Sequence, residues 1–433
     1  MMKIAFYTLG CKVNQYETEA MRHMMEQAGW QTTDFNGGRA DSDVLVINSC
    51  TVTGESDRKL RQLLRRCRRD NPTAILVLTG CMPQAYPETA ASFMEADIVL
   101  GNAARRLLPT CVAEFLTHKQ RIVRIPDHNK TFESLNIHAF HERTRAFVKI
   151  QDGCNRFCSY CIIPYARGRV RSRHPEEIRQ ELEQLAAAGY REVVLVGINL
   201  TAYGQDCGLT IADALDAACA VEGLERIRLG SLEPDFLTDA LLERLSAQPK
   251  LCPQFHIALQ SGCDATLRRM NRHYDTTLFA DLCDRLRRLF PGCALTTDVM
   301  VGFPGETEEE FEQSLTFVQK MGFARVHVFP YSRRPGTPAD KMPHQIQNAT
   351  KAQRSRRLTE VCQETANAYA QTYIGRTVWV LPETWEDDGT VVGHTDTYLT
   401  VRVKTDRREN GQMAITITGR ENDVLLGVET PPQ

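Results

Sequence analysis

The chain has 433 residues, 42% hydrophobic and 24% charged, which is ordinary for a globular protein and long for one domain, so two or three are expected. A formal net charge of −2 excludes a global cationic excess, so any nucleic-acid footprint must be local. No run of about 18 apolar residues provides a membrane span. Fifteen cysteines without a secretory signal argue for a reducing, cytoplasmic setting in which thiols serve metal or packing instead of disulfides.

The first hundred residues alternate strand and helix. Strands are predicted at 3–8, 44–48, 74–79 and 97–100, with helices at 17–28 and 55–69, the signature of a doubly wound parallel α/β domain over 1–108. Residues 110–145 are polar and irregular and read as a linker with a hairpin. A second alternating series follows over 140–370, with strands at 146–150, 192–196, 226–229, 255–259, 295–301 and 325–329. Helices at 175–188, 278–289 and 308–321 separate them. Six strand–helix repeats predict a partial (β/α)6 barrel, because a closed one needs eight. A basic helix at 351–373 leads into short strands at 377–381, 389–393, 398–403 and 413–419. These predict a small all-β barrel over 372–433.

Cys154, Cys158 and Cys161 lie within one short loop after the first strand of the second series. Three thiolates at this spacing suit three irons of a [4Fe-4S] cluster and leave the fourth iron open to a substrate or cofactor. A structural zinc would need a fourth ligand, and His174, thirteen residues beyond Cys161, is poorly spaced for it. The strand ends that follow carry Asn199, Ser231, Glu233 and Gln260. Parallel α/β sheets bind ligands at their carboxyl ends, so all four should open on one face around the cysteine loop. The first domain repeats the arrangement. Cys11, Cys50 and Cys81 follow three consecutive predicted strands and should converge at one sheet edge as a second metal site. Cys67, Cys219 and Cys283 fall in helices and read as packing. Arg167, Arg169, Arg171 and Arg173 alternate beside the cysteine loop and, if extended, form a row suited to phosphates, with structural ion pairing as the alternative. The basic segment 58–69 reads equally as a solvated helix face or an RNA contact.

The 154–161 cysteine pattern resembles the radical S-adenosylmethionine motif. Gly10-Cys11-Lys12-Val13-Asn14-Gln15, with Cys50 and Cys81, is similar to the N-terminal domain of methylthiotransferases, and the terminal barrel resembles the TRAM RNA-binding domain. Together they resemble the radical S-adenosylmethionine methylthiotransferase family over the whole chain. The segments 7–17 and 161–169 are similar to the MtaB type, which acts on N6-threonylcarbamoyladenosine in tRNA. The MiaB type, acting on isopentenyladenosine, has Gln-Met-Asn after the first cysteine, and the RimO type, acting on a ribosomal protein, has Pro-Lys-Asn. The resemblance implies two [4Fe-4S] clusters, one on Cys154, Cys158 and Cys161 and one on Cys11, Cys50 and Cys81. It implies S-adenosylmethionine bound to the open iron of the first and oriented by Asn199, Ser231, Glu233 and Gln260. A 5′-deoxyadenosyl radical then takes the hydrogen at adenine C2, and the second cluster delivers a methylthio group there. No catalytic residue beyond the cluster ligands is implied. The partners implied are the tRNA anticodon stem-loop, held by the TRAM barrel and the arginine row, an external electron donor and an unspecified sulfur donor. A monomer is expected. The competing readings are a MiaB-type enzyme and a non-catalytic iron–sulfur RNA-binding protein.

Overall fold

The computed structural model describes residues 2–38, 41–135, 137, 144–405 and 411–430. Six parallel strands open the chain: β1 (Lys3–Thr8), β2 (Gln31–Thr33), β3 (Val44–Ser49), β4 (Ile75–Gly80), β5 (Ile98–Leu100) and β6 (Ile122–Arg124). They form one sheet in the order β2-β1-β3-β4-β5-β6. β3 and β4 are buried at every residue, as strands covered on both faces must be. Ala5, Leu45, Ile47, Leu76 and Leu78 face helix α2 (Gly54–Asp70). Ile4, Phe6, Val44, Val46 and Val77 point the other way, toward helix α1 (Lys12–Gln27) and the helix Leu108–His118. This is a doubly wound domain whose strand order reverses between β1 and β3, the place where such folds open a crevice.

The expected hairpin linker is corrected here. Its first part is the helix Leu108–His118 followed by β6, which pairs in parallel with β5. Pro109 lies in the first helical turn, where its missing N–H costs nothing, so it does not break the element. Part of the predicted linker, and the boundary at residue 140, lie outside the described residues.

The second series supplies β7 (Arg145–Lys149), the small antiparallel pair β8 (Gln151–Asp152) and β9 (Arg171–Ser172), and then β10 (Glu192–Val196), β11 (Arg226–Leu229), β12 (Ser231–Leu232), β13 (Gln254–Ile257), β14 (Ala294–Val301) and β15 (Arg325–Pro330). The long strands pair in parallel as β11-β10-β7 and β12-β13-β14-β15. An isolated bridge from Ile227 to Leu251 joins the two groups beside the break at Gly230. Among the described residues β7 does not pair with β15, so the barrel is partial and open on one side. The chain ends in a closed five-stranded barrel of β16 (Thr377–Trp385), β17 (Thr390–Thr395), β18 (Thr400–Lys404), β19 (Met413–Glu421) and β20 (Val424–Glu429). The fold class is therefore as expected, with a fifth strand, β20, beyond the four read from sequence.

The three parts touch through charge. Arg145, Glu192 and Arg226 begin β7, β10 and β11, so they mark the amino end of the partial barrel. There Arg226 donates to the carbonyls of Trp379 (2.7 Å) and His394 (2.9 Å). Arg228 donates to those of Thr395 (2.7 Å) and Asp396 (2.6 Å), which seats the β-barrel at this end. No described helix is long and apolar enough to cross a membrane.

Candidate functional site

The 154–161 loop hangs from the carboxyl end of β7 and is pinned to its own return. Gly153 has φ +75, and a Cβ there would lie 1.9 Å from the Arg169 carbonyl oxygen, so only glycine fits. Cys154 N donates to Gly168 O at 3.0 Å and Cys161 N to Cys158 O at 2.9 Å. Donors then surround the sulfurs. The Arg156 backbone N–H reaches Cys154 Sγ at 3.5 Å and Asn199 Nδ2 reaches it at 3.8 Å. Arg272 Nη1 donates to Cys158 Sγ at 3.1 Å while its Nη2 pairs with Glu233. Burial pushes the Cys154 and Cys161 thiols up, and Cys158 adds to the rise at both. Such thiols hold their protons in water, and a metal that takes the proton's place makes them thiolates.

The second cysteine set sits at the crevice of the first sheet. Cys11 follows β1, Cys50 follows β3 and Cys81 follows β4, so the strand-order reversal lies between the first two. A Cβ on Gly10 would lie 3.0 Å from the Cβ of Cys50, which shows how closely those two loops approach. Gly80 has φ +103, and a Cβ there would strike Ser49 O at 2.3 Å, so the Cys81 loop lies directly on the Cys50 loop. The Cys11 thiol donates to Asn14 Oδ1 at 3.3 Å, and Val52 N donates to Cys50 Sγ at 3.5 Å. Burial, with Cys81 nearby, pushes the Cys50 thiol up to about 12. Among the described residues no three His, Cys, Asp or Glu side chains gather about one point as a single metal ion requires. A cubane asks for something different, because it spreads its three thiolates over three irons.

A buried ionic network joins the two cysteine sets. Glu17 of α1 accepts from Lys149 (2.7 Å) and Arg167 (2.7 Å) and forms an ion pair with Arg105 at 2.6 Å. Asp152, two residues before Cys154, accepts from Lys149 (2.6 Å) and Arg167 (3.2 Å) and lies 3.4 Å from Arg171. Burial alone would raise the Glu17 carboxyl, but Arg105, Arg167 and Lys149 outweigh it and hold the group well below the usual carboxylate range. Arg167 also reaches Asn14 Oδ1 at 3.2 Å and acts electrostatically on Cys11, Cys50 and Cys81.

This corrects the expectation of a phosphate-binding arginine row. Arg167, Arg171 and Arg173 are buried, the last paired with Glu181, and Arg169 is the exposed member, over the Phe157 ring at 4.8 Å. The strand that would have aligned all four is only Arg171–Ser172, and Arg167 ends the short helix Ile163–Arg167. The residues predicted to orient a cofactor divide. Asn199 and Glu233 stand beside the cysteine loop through Cys154 and Arg272. Ser231 is exposed on β12, and Gln260 is buried in a left-handed conformation (φ +68) bridged to β14. Arg272 was not found from sequence. Its signal is weak, an arginine in a run of basic residues after the helix Asp264–Arg269. The basic face of α2 is exposed at Arg58, Lys59, Arg61, Arg65, Arg66 and Arg69, with Arg58 and Arg69 paired to Glu55 and Asp70.

Two family patterns match this chain: "Radical SAM superfamily" over residues 148–318 and "Uncharacterized protein family UPF0004" over residues 3–101. "Threonylcarbamoyladenosine tRNA methylthiotransferase MtaB" of Bacillus subtilis (strain 168) is 41% identical over 414 residues, covering 93% of this chain and 91% of the relative. The chain belongs to the radical S-adenosylmethionine methylthiotransferase family, in its MtaB-type branch. The Thermotoga maritima protein of the same name is 36% identical, with 92% and 91% covered. A methylthiotransferase of the other tRNA branch, "tRNA-2-methylthio-N(6)-dimethylallyladenosine synthase" of Clostridium botulinum (strain Hall), is 35% identical, with 94% and 92% covered. The fold is also that of TsrM from Kitasatospora setae, a radical S-adenosylmethionine methyltransferase, with a TM-score of 0.59 at 15% identity over 78% of this chain and 77% of that one. The match to the radical SAM superfamily implies S-adenosylmethionine and a [4Fe-4S] cluster.

Proposed function

We propose that this protein is a tRNA methylthiotransferase that adds a methylthio group to C2 of N6-threonylcarbamoyladenosine beside the anticodon. The carrying observation is the joining of two cysteine triads, each at the carboxyl end of a parallel sheet, through the Glu17–Arg167–Asp152 network. One site suits radical generation and the other sulfur delivery, and the substrate must reach both. The identity to MtaB-named relatives supports the threonylcarbamoyl substrate.

In this reading Cys154, Cys158 and Cys161 hold one [4Fe-4S] cluster and Cys11, Cys50 and Cys81 hold a second. Bound with S-adenosylmethionine, the first supplies the radical that removes the C2 hydrogen, and the second carries the sulfur. The chain's own residues do the positioning. Asn199 and Arg272 hold the sulfurs of Cys154 and Cys158 in place, and Glu233 fixes Arg272. Ser231 and Gln260, farther round the strand ends, complete the S-adenosylmethionine site. Asn14 ties Cys11 to Ser49, next to Cys50, with Nδ2 to Ser49 O at 3.1 Å. The C-terminal barrel contacts the anticodon stem-loop, whose single-stranded bases can be splayed for recognition. The protein acts as a cytoplasmic monomer fed by an external electron donor and a sulfur donor.

Mass spectrometry of tRNA nucleosides from cells lacking the protein tests the reading. The expected result is loss of 2-methylthio-N6-threonylcarbamoyladenosine with accumulation of its precursor, restored on complementation. Loss of the isopentenyl analogue instead would move the protein to the other tRNA branch.

A further inference from the structure

We propose that Lys12 recognises the threonyl carboxylate of the substrate and so determines specificity for threonylcarbamoyl- over isopentenyl-adenosine. This rests on the substrate class proposed above.

Lys12 immediately follows Cys11 and opens α1. Val13, Tyr16 and Ala20 of α1 pack into the same core as β7, and Lys12 Nζ lies over the Phe147 ring, 6.0 Å from its centroid. Arg145 of β7 and Arg228 of β11 lie within electrostatic reach, but both are already engaged. Arg228 holds Glu192 at 2.7 Å together with two backbone carbonyls, and Arg145 holds Glu383 at 3.1 Å. Both guanidiniums also stack on Tyr398, at 4.9 and 4.8 Å. Arg226 is engaged by the β-barrel carbonyls and lies 3.6 Å from Glu192.

Lys12 is different. It is exposed, and among the described residues its ring contact with Phe147 is accompanied by neither a hydrogen bond nor an ion pair. Four cations, Lys12, Arg145, Arg226 and Arg228, therefore share this wall with two carboxylates, Glu192 and Glu383. Each carboxylate contacts an arginine, so Glu192 acts on the Lys12 ammonium only at a distance and no carboxylate of the described residues pairs with it. A surplus cation in such a wall raises the local concentration of an anionic ligand.

The chemistry of the substrate fits the position. C2 and C6 flank N1 on one edge of adenine. In this proposal the cysteines serve C2, and Lys12, next to Cys11 along the chain, serves the substituent on N6. Threonylcarbamoyl presents a carboxylate there and isopentenyl an apolar chain. An ammonium gains a charge-assisted hydrogen bond from the first and is desolvated without return by the second.

The test is anaerobic binding of anticodon stem-loops to the reconstituted holoenzyme. Three RNAs are compared: one with threonylcarbamoyladenosine, one with its carboxylate converted to the primary amide, and one with plain adenosine. Wild-type protein should prefer the acid to the amide by about tenfold, as a hydrogen bond between charged groups allows. Lys12→Met should erase that preference by weakening the acid alone, and Lys12→Arg should keep most of it. The acid–amide comparison on wild type needs no variant to fold. Equal weakening of all three RNAs in Lys12→Met would make Lys12 a phosphate-binding residue and overturn the proposal. So would an undiminished acid preference in that variant, or no preference in a wild type whose loss abolishes threonylcarbamoyl methylthiolation in cells. If that cellular methylthiolation survives loss of the protein, the substrate reading itself fails and takes this proposal with it.

Discussion

A buried thiol is a poor ligand until something compensates the charge it gains on losing its proton, and at Cys158 part of that compensation is Arg272. Its Nη1 is 3.1 Å from the sulfur, and its other nitrogen is fixed by Glu233, so the guanidinium cannot swing away. Hydrogen bonds to cluster sulfurs raise reduction potentials by stabilising the added electron. In Arg272→Lys the charge stays, but one ammonium cannot reproduce the fork that serves both Cys158 and Glu233. The expected outcome is a lower potential for the cluster proposed on Cys154, Cys158 and Cys161. The shift should be on the order of 60 mV, the one-electron equivalent of about 1.4 kcal/mol, read by an EPR-monitored titration. An unchanged potential would reduce Arg272 to a structural role. The two triads should also separate by substitution. Cys158→Ala is expected to abolish 5′-deoxyadenosine formation, whereas Cys50→Ala is expected to leave it and block methylthio transfer. Transfer that survives Cys50→Ala would remove the second cluster from the mechanism.

The elements that carry these residues were legible wherever periodicity and strand ends coincided. β10, β11 and the helix Glu308–Met321 begin and end where the apolar pattern does. Cys11, Cys50 and Cys81 each follow a readable strand end, and Cys154, Cys158 and Cys161 stand out by their spacing in a single loop that follows another strand. The pairing of Arg167 with α1 was not legible, since Glu17 and Arg167 are 150 residues apart. An alternating arginine pattern looks the same in sequence whether it faces solvent or a buried carboxylate. That burial has a measurable consequence. Glu17 and Asp152 have folded values held below their ordinary 4.5 and 3.8, so the unfolded chain takes up protons first as pH falls. Their contribution is complete above about pH 5 and is lost progressively as pH drops below 4.5 toward the folded values. Glu17→Gln should remove the share of this pH dependence that Glu17 carries and leave that of Asp152. It should also cost roughly 3–5 kcal/mol at neutral pH, because it leaves buried cations short of a partner. Denaturant unfolding of wild type and variant at pH 7 and pH 4 checks both, and equal losses at the two pH values would contradict the network's role.

For the whole molecule, the question is how a protein of net charge −2 holds a polyanion. Binding must come from places where charge or aromatic surface is concentrated, and two are available. The exposed α2 face offers Arg61 and Arg66, neither of them in a salt bridge among the described residues. The β-barrel offers Trp379, 59% exposed on β16 and suited to stacking an unpaired base. Deleting the barrel would test this badly. It would strip Arg226 and Arg228 of four carbonyl partners and leave their charges loose beside Lys12. Point substitutions separate the contributions by their response to salt. Trp379→Ala should weaken tRNA binding by about 1–3 kcal/mol while leaving the slope of log K against log salt unchanged, because stacking releases no counterion. Arg61→Gln with Arg66→Gln should flatten that slope by up to about 0.9 for each phosphate no longer neutralised. Binding titrations across a salt series measure both. A slope unmoved by the arginine pair would return α2 to an ordinary solvated face, and an affinity unmoved by Trp379→Ala would take this tryptophan out of the RNA footprint.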